Sequence, residues 1–163
     1  MITKLLFVDD DDDILDGYRM IFKTMSRISI PTLEVDPNTK EGHDNSSQDE
    51  LFKKIEPYFS SNQSDSLKII DREKKTGIPI KLFIVDLHLG PDNGVDLIDK
   101  IYRQTTPISV FLLTGTNMSI EEMLPKHQYP WAKNIQILRK PIALSKLKEI
   151  IFEAVKKQSI TRS

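Results

Sequence analysis

Leu82-Phe83-Ile84-Val85-Asp86-Leu87-His88-Leu89-Gly90-Pro91-Asp92-Asn93-Gly94 is the stretch on which the reading of this sequence turns. Four apolar residues run without polar alternation, and one carboxylate follows. A short continuous apolar run suits a strand covered on both faces, as in parallel sheets. A carboxylate that closes such a strand stands at the carboxyl rim of the sheet, where open α/β folds gather their function.

Working outward, similar runs occur at 4–8, 28–35 (interrupted by Pro31), 108–113 and 135–138. Helical spacing lies between them. Ile14, Tyr18, Ile21, Phe22 and Met25 share one face, as do Leu97, Ile98, Ile101 and Tyr102. Leu144, Leu147, Ile150, Ile151, Ala154 and Val155 form a third apolar stripe. Strands that alternate with helices predict right-handed crossovers and an α/β fold. The expected form is a doubly wound five-stranded parallel sheet with helices on both faces.

The middle of the chain holds more residues than one helix and two loops require. It reads as an insertion at about 37–75, in the region of the second strand and second helix. The polar tract 37–50 reads as a loop. Leu51, Phe52, Ile55, Tyr58 and Phe59 read as a helix face stopped or kinked by Pro57, and 67–75 as a further, highly charged helix. The charges of 71–75 are expected on a solvated face. One domain is expected over 1–158, with 159–163 as a tail. Trp131 is expected to pack a small edge cluster, and His43 and His127 to be solvated.

The 163 residues include 23 basic and 24 acidic side chains, a formal net charge of −1. That balance gives no general attraction to nucleic acid or to an anionic membrane. The absence of cysteine excludes disulfides and thiolate metal sites. The apolar run after Met1 is too short for a signal peptide or a membrane span. A cytoplasmic protein is the expectation, with no attached effector domain.

The strand ends carry the chemistry. The first strand ends in Asp9-Asp10, the third in Asp86, the fourth in Thr114 and the fifth in Lys140-Pro141. If they converge, two carboxylates ~4 Å apart repel by about 4 kcal/mol at an effective dielectric near 20. Three together call for a cation. An all-oxygen acidic site suits Mg²⁺, with Mn²⁺ as a substitute. Lys140 and Thr114 would then complete a site for a phosphoryl group. Asp86, alone at the end of the central strand, is the candidate nucleophile.

These pieces, together with Leu5-Leu6-Phe7-Val8-Asp9-Asp10, Phe111-Leu112-Leu113-Thr114-Gly115 and Leu138-Arg139-Lys140-Pro141, resemble the receiver domain of two-component response regulators. The resemblance implies a flavodoxin-like receiver fold with Asp86 as phosphoacceptor. It implies that Asp9, Asp10, Asp86 and the backbone carbonyl of His88 hold Mg²⁺. Thr114 and Lys140 would contact the phosphoryl group, and the Lys140–Pro141 bond would be cis. The implied partners are a sensor histidine kinase or a histidine phosphotransfer protein, and a downstream protein target. The resemblance also places tuning residues at His88 and Thr116. Ile137 stands where the family carries its aromatic switch residue, a departure that puts the usual readout in question. A homodimer is left open, and neither nucleic acid nor membrane is an expected partner.

Other readings stand beside this one. Asp9–Asp13 also fits a solvated turn in which one aspartate caps the next helix. An EF-hand is rejected, because the sixth loop position would be Ile14 and the twelfth Met20. Asp9, Asp11, Thr114 and Lys140 mimic a haloacid-dehalogenase-type phosphatase, but Asp86 precedes the Thr and Lys instead of following them. The last alternative is a receiver-like binding module that works without phosphate.

Overall fold

The computed structural model describes residues 1–27, 50–125 and 128–160. The expected strand at 28–35, the polar tract up to residue 49, His43 and His127 lie outside them. Among the described residues, five parallel strands form the main sheet: β1 (Thr3–Val8), β2 (Ile55–Ser60), β3 (Leu82–Asp86), β4 (Ser109–Thr114) and β5 (Ile135–Arg139). Their order is β2-β1-β3-β4-β5. The helices are α1 (Asp12–Arg27), α2 (Gln63–Lys75), α3 (Gly94–Gln104), the single turn α4 (Ile120–Met123) and α5 (Leu144–Ile160). A 3-10 turn, Pro130–Asn134, precedes β5.

The alternation of side chains along each strand divides the apolar residues between two cores. Leu6, Val8, Phe83, Val85, Val110 and Leu112 face Ile70 of α2 and Val95, Leu97, Ile98 and Ile101 of α3. Leu5, Phe7, Leu82, Ile84, Phe111 and Leu113 face Leu15, Tyr18 and Phe22 of α1 and Leu147, Ile150 and Ile151 of α5. Each such side chain contributes roughly 1.5–3 kcal/mol on burial. Phe7 anchors the second core, with its ring 4.6 Å from Tyr18 and 5.5 Å from Phe59, both stacked. The doubly wound parallel sheet with helices on both faces is therefore present as the sequence predicts. Trp131, expected in a small edge cluster, instead belongs to the first of these cores, stacked on Tyr102 at 5.6 Å, and its Nε1–H donates to Asp99 at 2.9 Å.

The second strand corrects the sequence reading. Ile55, Tyr58 and Phe59, expected on a helix, lie in edge strand β2. The N–H groups of Thr3 and Asp9 donate to the Lys54 and Ser60 carbonyls. By alternation, the nitrogen of Pro57 then faces away from β1, where the absent N–H costs the ladder nothing. β2 and α2 fall inside the expected insertion, so residues 55–75 belong to the regular alternation of the fold. Helix α5 runs to Ile160, into the expected tail. Near that end, Gln158 is buried and accepts a hydrogen bond from the Thr3 hydroxyl at 2.7 Å.

One charge of 71–75 also departs from the solvated face. Glu73 is buried and pairs with Lys4 of β1 at 2.7 Å, while Arg72 donates to its other oxygen at 2.7 Å. A buried lysine needs a counter-charge, and α2 supplies it.

Candidate functional site

Strand order reverses on either side of β1, since β2 lies on one flank and β3 on the other. Ligand sites in such sheets form at this switch point, beyond the carboxyl ends of the strands. Asp9 and Asp10 follow β1 and Asp86 ends β3, so all three stand there. Each offers a carboxylate oxygen, and these oxygens lie within 4.8 Å of one another.

Each carboxylate has its own environment. Asp9 is buried, with Oδ1 accepting from the Asp11 N–H at 3.0 Å and Oδ2 from Lys140 Nζ at 2.8 Å. Asp86 is also buried, and its Oδ2 lies 3.1 Å from the same ammonium. Asp10 is exposed. Burial pushes the Asp86 carboxyl above its ordinary value; the Lys140 hydrogen bond opposes the rise and the Asp9 charge adds to it. Burial lowers the Lys140 ammonium, but Asp9 and Asp86 outweigh it and hold the group above its ordinary value. Tyr18 is raised as well, first by burial and then by the Asp9 charge.

Three carboxylates against one ammonium leave negative charge in excess. With oxygen donors only and an open side at Asp10, the set fits a hard divalent cation such as Mg²⁺ or Mn²⁺.

Local backbone chemistry fixes these positions. Asp11 Oδ1 accepts from the Asp13 N–H at 2.9 Å and caps α1, so one aspartate of the run is indeed the cap. Asn93 caps α3 through its Oδ1, which accepts from the Val95 N–H at 2.8 Å. Gly94 passes so close to β3 that a Cβ there would lie 2.1 Å from the Asp86 carbonyl oxygen. Gly90 holds φ +65° in the tight ribbon of His88–Leu89 against Asp92–Asn93.

The remaining sequence candidates take these places. Thr114 is fully buried, and its hydroxyl lies 3.0 Å from that of Thr116 and accepts from the Thr116 N–H at 3.1 Å. The Lys140 N–H donates to the Thr114 carbonyl at 2.9 Å, and the Lys140–Pro141 bond is cis. His88 is exposed and lines a shallow depression of about 210 Å³ with Met118, Met123 and Tyr129. Ile137 is half-buried and packs against the core of the α2–α3 face. Sequence reasoning missed Arg139 as more than a neighbour of Lys140; nothing in the sequence signals which carbonyls its guanidinium reaches.

No family model matches the sequence, and no curated protein matches it. Solved structures do share its shape. The signal receiver domain of an HD domain-containing protein from Pseudomonas fluorescens Pf-5 superposes with TM-score 0.64 at 17% identity, covering 99% of this chain and 92% of that one. A response regulator receiver domain protein from Clostridium thermocellum gives TM-score 0.63 at 19% identity, covering 98% and 99%. A CheY-like receiver domain protein from Methanospirillum hungatei JF-1 gives 0.62 at 17% identity, covering 98% of each chain. Along nearly its whole length, the chain has the fold of the response regulator receiver domains.

Proposed function

We propose that the protein is a phosphoaccepting signalling switch rather than a turnover enzyme, with Asp86 as the acceptor. The observation that carries this reading is the meeting of the Asp9, Asp10 and Asp86 carboxylates in one cluster, with Lys140 bridging Asp9 and Asp86. A carboxylate oxygen of Asp86 forms a bond to phosphorus while the P–N bond of a phosphohistidine donor breaks. The leaving imidazole keeps that electron pair and takes a proton. Lys140 draws the transferred oxygens toward Asp86. Thr114, at the end of the adjacent strand, donates its hydroxyl to the same group once it turns from Thr116. Asp9, Asp10, Asp86 and the His88 carbonyl would hold Mg²⁺, or Mn²⁺ in its place. When bound, the metal supplies positive charge opposite the phosphoryl oxygens.

The donor is a sensor histidine kinase or a histidine phosphotransfer protein, and the output is a changed surface offered to a downstream protein. His88, two residues after the acceptor, and Thr116, two residues after Thr114, would tune loss of the phosphoryl group. The domain, expected over 1–158, would extend with α5 to Ile160 and act in the cytoplasm; no helix of the described residues is long and apolar enough to cross a membrane.

The test is labelling with acetyl phosphate and Mg²⁺, read by intact mass. One phosphoryl mass should appear, chelation should prevent it, and Asp10→Asn should weaken it. Asp86→Asn should abolish it; undiminished label in that variant would overturn the assignment.

A further inference from the structure

Arg139 ends β5 immediately before Lys140, but strand alternation sends its side chain to the face of Ile135 and Ile137. There its guanidinium donates through Nη1 to the Thr116 carbonyl and through Nη2 to the Met118 carbonyl, the latter at 2.8 Å. Both acceptors belong to the segment 115–119 that leads from β4 to α4. A planar guanidinium can span two carbonyls at once, which the point charge of an ammonium does not reproduce.

The gripped segment is the one that occupies the Thr114 hydroxyl. Thr116 donates its N–H to that hydroxyl at 3.1 Å, and the two hydroxyls lie 3.0 Å apart. The strand just before it is fixed separately, since the Lys140 N–H binds the Thr114 carbonyl at 2.9 Å.

We infer that Arg139 is a latch: a positioning residue that keeps segment 115–119 where Thr116 engages the Thr114 hydroxyl, and so restrains that hydroxyl from turning to a phosphoryl group on Asp86. The inference rests on the phosphoacceptor reading above. To turn, the hydroxyl gives up the Thr116 N–H, and Thr116 cannot withdraw while its own carbonyl is held. Releasing the latch favours the phosphoryl-bound arrangement, a shift between two states of the same segment.

The test compares the full chain with Arg139→Lys and Arg139→Gln. Arg139 is exposed, so both variants are expected to fold, which circular dichroism checks. The first measurement is amide hydrogen exchange over 115–119 without a phosphodonor. The second is the initial rate of acetyl phosphate labelling at saturating Mg²⁺. Exchange should quicken in both variants, and labelling should rise at least about fivefold, the lower end of ordinary site-to-site coupling. Arg139→Lys keeps the positive charge at this position, so acceleration in both variants assigns the effect to the two-carbonyl grip. Unchanged exchange, or a rate that rises in Arg139→Gln alone, would overturn the latch. A wild-type chain that takes no label would sink the phosphoacceptor reading, and the exchange measurement would still decide whether Arg139 holds the segment.

Discussion

Gly94 shows how one missing carbon positions a reactive group. Its amide donates to the Leu87 carbonyl at 2.8 Å, and its Cα side faces the Asp86 backbone, where a methyl would overlap the carbonyl oxygen. The obstacle is backbone, not the tip of a flexible side chain, so it cannot simply rotate away. Gly94→Ala should therefore destabilise the fold by about 1–3 kcal/mol, the usual cost of forcing an extra methyl into packed surroundings. It should also slow labelling of Asp86 by moving the end of β3. Urea unfolding checks the first effect and intact mass the second; a variant with unchanged stability and unchanged labelling would refute the close approach. Lys140 works in the opposite sense, since its single ammonium is shared by Asp9 and Asp86.

Among the elements, α1 depends on a side chain outside its own span. Asp11 caps it, and Asp12 and Asp13 place negative charge in its first turn, where the helix dipole favours it. Asp11→Ala should cost about 1 kcal/mol of stability, seen as a lower thermal midpoint, without preventing phosphoryl labelling. The cap was legible in the sequence because Asp before an apolar helical stripe is a local signal. The strands leading to Asp9, Asp86 and Thr114 were legible for a similar reason: buried on both faces, they read as largely unbroken apolar runs. Strand β2 was not. It lies at the edge, its exposure varies along its length, and Ile55, Tyr58 and Phe59 fit a helical spacing as well as a strand. Pro57 argued for interruption, whereas at an edge its missing donor simply faces outward. Glu73 was misread because its partner Lys4 lies 69 positions earlier in the sequence, and local charge pattern carries no record of that pairing.

Across the whole molecule, the carboxyl rim of the sheet holds the acidic cluster, and the amino end of β1 is tied to α2 by a buried ion pair. The hydrogen bond from Lys4 holds the Glu73 carboxyl down at about 2, against an ordinary value of 4.5; burial opposes the fall and Arg72 assists it. A carboxyl depressed on folding adds stability above its unfolded value, and that stability is lost as pH falls from about 4.5 toward 2. Urea midpoints measured from pH 5 down to pH 2 should fall more steeply for the wild type than for Glu73→Gln. Parallel slopes would show that the pair does not link this end of the fold to protons.

The contact between Thr3 and Gln158 has a geometric corollary. Strand β1 and helix α5 meet at one spot, so residues 3 and 158 lie side by side. Splicing those two neighbours with a short peptide and opening the backbone at a distant surface turn would give a circular permutant with its hydrogen-bonded ladders intact.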